Sequence, residues 1–306
     1  MLPAYLVDAL RPLAGARVAL IAPAGGVKDE RIDIARAVVD AAGIETCLGE
    51  HARDHHRYLA GTADDRLRDL QAAFELPNID AVWCLRGGYG TAQFVQAIDW
   101  ARIPREVPLI GYSDMSLLLA AFEHRSRRAI HAPVATELAL PGDTPAEQAE
   151  RAASMASLVA CLQGQASEWP LLYHSGPSNR LTGRVVGGNL TTLASVAGTP
   201  AALTLADDAI LVLEDVGEAE FRLERCLQQL LDSLDCRRIK AICLGHFERC
   251  ALACGMESLI EICAEYAGAR GIALYYNAPV GHGFVNHAWR YGARATIEAN
   301  RLLIDA

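Results

Sequence analysis

Short apolar segments alternate with amphipathic segments through the first 140 residues of the chain. The apolar runs have the length of buried strands and lie at residues 18–22, 81–85 and 109–112. Segments with helical spacing lie at residues 31–42, 63–74, 91–98 and 115–124. This βαβα order predicts an α/β fold, namely a doubly wound parallel sheet with helices on both faces.

The pattern changes after residue 163. Residues 164–180 contain two glycines and two prolines with little periodicity, which indicates a linker. Beyond it, strand-like runs at 181–186, 209–213 and 239–244 alternate with amphipathic runs at 218–234 and 257–266. We therefore predict an α/β domain over residues 1–163, a linker over 164–180, and a C-terminal mixed α/β domain over 181–306.

Ser113 directly follows the third apolar run and precedes a helical segment, so it is predicted on a strand-to-helix turn. Such a turn can expose a nucleophilic hydroxyl at the carboxyl edge of a parallel sheet. Gly111 permits a tight turn there, although Met115 stands where an α/β-hydrolase turn has glycine. The competing interpretation is a plain N-cap, in which the Ser113 oxygen accepts a backbone N–H of the helix.

A carboxylate and a histidine that could activate this serine follow later in the chain. Glu214 ends a strand-like run, and His282 lies between Gly281 and Gly283. A serine, a histidine and a carboxylate together turn a weak hydroxyl into a nucleophile. Glu218 is a second candidate carboxylate, and either glutamate is also compatible with capping the helix that follows.

The stretch from Arg86 to Gly90 reads Arg-Gly-Gly-Tyr-Gly and follows the second predicted strand. Glycines leave backbone N–H groups open to a substrate oxygen, whereas side chains would block them. No Gly-Lys-Ser/Thr follows, so the stretch does not indicate a phosphate-binding loop.

Composition excludes several classes of protein. The chain has 306 residues and a formal net charge of −9, which disfavours non-specific binding to nucleic acid or to anionic membranes. It contains no apolar run of membrane-spanning length, and its first 26 residues lack the features of a secretory signal. Nine cysteines without small-domain spacing indicate reduced thiols. We therefore expect a cytoplasmic protein.

Cys243, His246, Cys250 and Cys254 have spacings that suit a zinc ion. Cys243, however, lies inside an apolar run, where free cysteine behaves as a small core residue. We favour the core interpretation and predict no metal site.

Several short motifs, taken in order, resemble the LD-carboxypeptidase family of serine peptidases, which also includes the microcin C immunity peptidases. The resemblance extends from residue 22 to about residue 295 and rests on the motifs at residues 22–25, 86–90, 111–114, 187–190, 213–218, 221–222 and 281–282.

The resemblance implies an N-terminal domain like the class I amidotransferases, with Ser113 as nucleophile, His282 as general base and Glu214 as the carboxylate that orients it. It also implies an oxyanion hole formed by the backbone N–H groups of Gly88 and Asp114. The implied reaction removes terminal D-alanine from a peptidoglycan-derived tetrapeptide, at the bond after the L-centre of diaminopimelate or lysine, without a cofactor. A carboxypeptidase must also bind the terminal carboxylate, and Arg86 is a candidate for this contact. We further expect a homodimer.

Two other functions stay open at this point. One is an immunity peptidase that cleaves the amide of a peptidyl or aminoacyl nucleotide, and the other is a non-catalytic ligand-binding protein on the same scaffold. Residues 286–290, Asn-His-Ala-Trp-Arg, replace a segment that usually contains Leu-Pro in the family, close to His282, and bear on substrate fit.

Overall fold

The computed structural model describes residues 2–306. Fourteen of the fifteen strands form one six-stranded and one eight-stranded sheet, β11 lies outside both sheets, and the described residues also form eight α-helices. The strands are β1 (Arg17–Ile21), β2 (Glu45–Leu48), β3 (Ala81–Cys84), β4 (Leu109–Gly111), β5 (Ala129–His131), β6 (Ser167–Pro170), β7 (Leu172–Ser175), β8 (Leu181–Asn189), β9 (Ala209–Val216), β10 (Ile239–Glu248), β11 (Ala253–Gly255), β12 (Ala273–Tyr276), β13 (Trp289–Arg290), β14 (Arg294–Glu298) and β15 (Arg301–Ile304). The helices are α1 (Ala4–Leu10), α2 (Asp29–Ala41), α3 (Ala63–Glu75), α4 (Met115–His124), α5 (Pro145–Leu162), α6 (Leu190–Ser195), α7 (Glu220–Ser233) and α8 (Met256–Gly268).

The N-terminal sheet has the order β13-β5-β4-β3-β1-β2 and is parallel except for β13. Two separate apolar clusters cover its two faces. One contains Leu6, Ile32 and Leu158 from α1, α2 and α5, and the other contains Leu70 and Leu118 from α3 and α4. Strand residues alternate between the clusters, because successive side chains of a strand point to opposite faces. This confirms the predicted α/β class and the helices on both faces of a largely parallel sheet.

The C-terminal sheet has the order β6-β15-β14-β8-β9-β10-β12-β7. Its central strands β8, β9, β10 and β12 are parallel, and antiparallel strands complete both edges. The molecule is thus a mixed α/β protein with two parallel-rich sheets.

Residues 164–180 do not form the irregular linker expected from their glycines and prolines. They contain β6 and β7, which pair with β15 and β12 at opposite edges of the eight-stranded sheet. Strand β13 belongs to the C-terminal half of the chain but pairs with β5, a strand of the N-terminal sheet. Within residues 2–306, none of the helices combines the length and apolar character needed to cross a bilayer.

Candidate active site

Ser113 lies on the turn between β4 and α4, beyond the carboxyl edge of the N-terminal sheet. Its backbone has a φ of +66°, in the left-handed region that non-glycine residues rarely occupy. The N-cap interpretation of Ser113 is wrong, because Asp114 occupies the N-cap position of α4 and no side chain caps that helix. The Ser113 hydroxyl instead lies 3.0 Å from the Nε2 atom of His282.

His282 reaches Ser113 from a loop of the C-terminal half that follows β12. Its Nδ1 atom lies 2.6 Å from the Oε2 atom of Glu214, and the Glu214 side chain is fully buried. The ring of Tyr112 packs against the imidazole with its centroid 4.7 Å away. The serine, histidine and glutamate therefore form a continuous hydrogen-bonded chain, in which Ser113 follows a strand of one sheet and Glu214 lies on a strand of the other.

Glu214 rather than Glu218 meets the histidine, because Glu214 belongs to β9 whereas Glu218 lies in the turn before α7. Glu218 pairs instead with Arg222, at 3.6 Å. Burial raises the pKa of Glu214, and the neighbouring His282 opposes this increase. A buried carboxylate beside Nδ1 fixes the tautomer of the imidazole and stabilises the imidazolium that forms when Nε2 takes a proton.

The glycine loop at residues 86–90 packs directly against the serine turn. A Cβ atom added to Gly87 would lie 2.7 Å from the Cβ and 2.8 Å from the Oγ of Ser113. The backbone N–H of Thr91 donates to the Asp114 carboxylate at 2.9 Å, and the Thr91 hydroxyl donates to the Asp114 carbonyl at 3.0 Å. These contacts fix the glycine loop against the turn.

The backbone N–H groups of Gly88 and Asp114 are among the donors of the glycine loop and the serine turn that have no acceptor in the part of the chain that the structure describes. The Asp114 side chain is buried and bonded to Thr91, and burial raises its pKa. Asp114 can therefore offer its N–H to a substrate, whereas its carboxyl group faces the protein interior.

A cavity of about 630 Å³ opens above Ser113 and His282. Both halves of the chain line it, and its charged or polar residues include Lys28, Arg31, Arg86, Glu137, Arg151, Asn189, Asp215, Glu218 and Arg249. The guanidinium of Arg86 donates to the Gly26 carbonyl at 2.6 Å, which holds this exposed side chain beside the glycine loop. The cavity has the size of a small-ligand site and presents several cations.

Sequence reasoning missed a buried ion pair in the cavity wall between Arg151 and Glu137. It also missed Asn189, whose amide donates to Asp215 at 2.9 Å while Asp215 accepts the N–H of Thr191 at 2.8 Å. Asn189 and Asp215 both lie in motifs that carry the family resemblance, so the sequence offered a signal for them. Arg151 and Glu137 lie in none of those motifs.

The four residues considered for zinc do not form a metal site in the described chain. Cys243 is buried in β10, where burial raises its pKa, whereas Cys254 is exposed on β11. Among residues 2–306, the potential ligand atoms that lie close enough to share an ion belong to His51, Asp54 and Asp65, a group that includes none of the four.

Comparison with known proteins gives a consistent picture across both halves of the chain. Residues 18–132 match the model of the LD-carboxypeptidase N-terminal domain, and residues 182–297 match that of the LD-carboxypeptidase C-terminal domain. The chain is 48% identical over 297 residues to the murein tetrapeptide carboxypeptidase of Pseudomonas aeruginosa, covering 95% of this chain and 96% of that protein.

Two solved structures resemble this chain over nearly its whole length. The crystal structure of muramoyltetrapeptide carboxypeptidase from Oxalobacter formigenes matches with a TM-score of 0.81 at 26% identity, covering 95% of this chain and 99% of that one. The microcin C7 self immunity protein in complex with aspartyl sulfamoyl adenosine matches with a TM-score of 0.83 at 18% identity, covering 96% of each chain, and this likeness shows a shared fold alone.

Proposed function

The chain belongs to the LD-carboxypeptidase family, and from this premise we propose that it is a serine carboxypeptidase that removes terminal D-alanine from a murein-derived tetrapeptide. The observation that carries the proposal is the hydrogen-bonded chain from Ser113 through His282 to Glu214, at 3.0 and 2.6 Å. The 48% identity to a murein tetrapeptide carboxypeptidase supports the substrate class.

The proposed reaction proceeds in two steps. Nε2 of His282 takes the Ser113 proton as Oγ attacks the carbonyl carbon, and the imidazolium then protonates the departing amine of D-alanine. Water next attacks the acyl ester with His282 again as base, and this step frees Ser113 and the shortened peptide. Glu214 keeps Nδ1 protonated and compensates the positive charge on the ring. None of these steps requires a metal or an organic cofactor.

The tetrahedral oxyanion would be bound by the N–H groups of Gly88 and Asp114. Both N–H groups lack an acceptor within residues 2–306; Asp114 directly follows Ser113, and Gly88 directly follows Gly87, which packs against the Ser113 side chain. Preorganised donors of this kind usually contribute a large share of the rate of acyl transfer. Arg86 is our candidate for the terminal carboxylate, because it lines the cavity and its guanidinium is held beside the glycine loop.

The proposal also covers the fold of the N-terminal domain, the cellular location, the oligomeric state and the division into domains. The strand order β2-β1-β3-β4-β5 with helices on both faces is that of a doubly wound fold, and it supports an N-terminal domain like the class I amidotransferases. We also propose that the protein acts in the cytoplasm as a homodimer. The domain division at residues 1–163 and 181–306 stays a proposal that accounts for two sheets sharing one catalytic cavity.

The stereochemistry of the last residue provides the test. Incubation with tetrapeptides ending in D-alanine or L-alanine is expected to release D-alanine alone, because inversion of that centre exchanges the methyl and carboxylate directions and leaves the cation unpaired. Equal release from both peptides would contradict the carboxypeptidase assignment while leaving a serine hydrolase. An aminoacyl sulfamoyl adenosine is included as a third substrate, and its preferential cleavage would favour the immunity-peptidase alternative. No turnover of any substrate would favour the non-catalytic alternative.

A further inference from the structure

The catalytic serine and histidine approach each other across the boundary between the two sheets. Ser113 follows β4 of the N-terminal sheet, whereas His282 lies in the long connection from β12 of the C-terminal sheet to β13 of the N-terminal sheet. Glycines flank His282 on both sides, and glycine restricts the backbone less than any other residue. The 3.0 Å contact from Nε2 to Oγ therefore depends on what holds this connection in place.

Helix α5 of the N-terminal half holds the connection just after the histidine. The Ser154 hydroxyl donates to the Phe284 carbonyl at 2.9 Å and accepts the N–H of Asn286 at 2.9 Å. One turn along the helix, the Ser157 hydroxyl accepts the N–H of Ala288 at 2.7 Å. Three backbone groups of the histidine connection are thus bound by hydroxyls on one face of α5.

Arg151 lies one turn before Ser154 and makes the contact closest in sequence to His282. Its guanidinium donates to the Gly283 carbonyl at 3.3 Å and lies 5.1 Å from the ring centroid of Phe284. The same guanidinium pairs with Glu137, and both side chains are almost fully buried. A buried ion pair often stabilises a protein less than well-packed apolar residues of the same volume would. Stability alone therefore does not account for the Arg151–Glu137 pair.

We propose that Arg151 is a positioning residue that holds Gly283, and through it His282, at the distance from Ser113 that proton transfer requires. Glu137 fixes the guanidinium so that one side of it faces the Gly283 carbonyl. The inference rests on the proposed roles of Ser113 and His282. It assigns to α5 the task of aligning a catalytic group that the other half of the chain carries.

Geometry explains why this contact affects the rate rather than substrate binding. Glu214 fixes Nδ1 of the imidazole through the side chain, whereas Arg151 holds the backbone carbonyl of Gly283 directly after the histidine. A misplacement of about 1 Å at a reacting group can cost about 100-fold in rate. The Gly283 carbonyl is one residue from His282, so a shift there is transmitted directly to the imidazole.

The test removes the ion pair as a unit, in the double variant Glu137→Gln/Arg151→Met, so that no unpaired charge stays buried. We expect kcat for D-alanine release to fall about 30- to 100-fold, with KM within about 3-fold of the wild type. Labelling of Ser113 by a fluorophosphonate should slow in parallel, because it reports the activation of the serine without any peptide. Arg151→Lys keeps the charge, and both rates in this variant should lie between those of the double variant and the wild type. Leu259→Ala, a core substitution in α8, controls for lost stability and should change neither rate more than about 3-fold.

Ser154→Ala provides an independent test if the double variant does not fold. It deletes two of the bonds to the connection with little change of volume, and we expect about a 10-fold loss in kcat and in labelling. Unchanged kcat and labelling in the folded double variant, or in Ser154→Ala if that is the variant available, would overturn the proposal. A raised KM with unchanged kcat would also overturn it, since Arg151 would then bind substrate. If the wild type is labelled but releases no D-alanine, the substrate assignment fails while labelling still decides the role of Arg151.

Discussion

Ser113 has a left-handed backbone, which costs a residue with a side chain about 1–3 kcal/mol. Such a conformation persists only where the surrounding structure determines it, and here the glycine loop packs against the turn from one side and α4 continues from the other. The conformation directs Oγ away from the helix and toward His282. The strained backbone is therefore what separates the proposed nucleophile from a helix cap at this position.

Replacement of Ser113 by alanine is expected to abolish D-alanine release, with kcat lower by at least about 1,000-fold. The substitution removes the proposed nucleophile but leaves the turn, the imidazole and the backbone donors in place, so the thermal unfolding midpoint should change little. Steady-state release of D-alanine by Ser113→Ala and by wild type measures the effect. Retention of more than about a tenth of kcat would mean that Ser113 is not the nucleophile.

His131 is a buried histidine outside the proposed mechanism, and it makes the free energy of unfolding depend on pH. Its ring is stacked 5.1 Å from Trp289 and lies 5.8 Å from Tyr112, and neither ring nitrogen has a hydrogen-bond partner within residues 2–306. Burial, with a smaller effect from His282, lowers the pKa of His131 to about 3. The unfolded imidazole, with a pKa of about 6.5, takes up a proton first as the pH falls. The stability from neutral His131 is therefore fully present above pH 6.5 and is lost progressively toward pH 3.

We expect His131→Phe to reduce this dependence. Between pH 7 and pH 5.5 the wild type should lose about 1 kcal/mol of unfolding free energy through this one group, and the variant should lose correspondingly less. Urea unfolding of both proteins at the two pH values gives the comparison, and taking the difference cancels the other histidines. An identical loss in both proteins would show that the pKa of His131 does not differ between the folded and the unfolded protein.

At the scale of elements, the hydrophobic pattern predicted several helices and strands closely but failed where a tertiary contact sets the backbone. The helix expected at residues 115–124 has those bounds, and the strands expected at residues 18–22, 81–85 and 109–112 agree to within one residue. Residues 91–98 were expected to form one helix, but they form two short 3-10 turns separated by Phe94, whose φ of −133° is not helical. The Thr91 N–H and hydroxyl bind Asp114 across the site, so a tertiary contact overrides the local pattern.

The glycine loop offers a test of how closely two elements must approach. In Gly87→Ala, the new methyl group would lie 2.7 Å from the Ser113 Cβ, closer than real Cβ contacts, so the serine turn must shift. We expect kcat to fall about 10- to 100-fold, because Ser113, the proposed nucleophile, moves relative to His282 and the proposed oxyanion donors. Gly268→Ala is the matched control, since its Cβ would meet no atom within 4 Å, and its activity should equal that of the wild type. Full activity in Gly87→Ala would show that the loop can retreat without affecting the site.

At the scale of the whole molecule, the candidate site was predictable where chemistry lies in short motifs and unpredictable where it depends on distant pairing. The order Ser113, Glu214, His282 was expected from the sequence, and the hydrogen bonds of the structure link these three side chains. The Arg151–Glu137 pair joins α5 to the 3-10 turn over Ala135–Ala139, and neither residue type marks a site by itself. The sequence did not predict β6 and β7 within residues 164–180, because their partners β15 and β12 lie about 100 or more residues further along the chain.

The charge distribution leads to a last prediction. The chain carries a net charge of −9, which should repel an anionic peptide. The catalytic cavity nevertheless presents four exposed cations, Lys28, Arg31, Arg86 and Arg249, and none forms an ion pair with a carboxylate among residues 2–306. A local positive field in a cleft raises the rate at which an anionic substrate arrives, and salt screens that field.

We therefore expect kcat/KM for an acidic tetrapeptide to fall about 3- to 10-fold as ionic strength rises from about 10 to 150 mM, since the Debye length shortens from about 30 to 8 Å. The value of kcat should change much less, because bound substrate already contacts the cations. Arg249→Gln should lower kcat/KM at low salt and flatten its salt dependence. Arg105→Gln, which removes the same charge from an exposed position outside the cavity, should do neither. If the two variants behave alike, the net charge of the molecule governs substrate arrival, and the cations of the cavity have no special part in it.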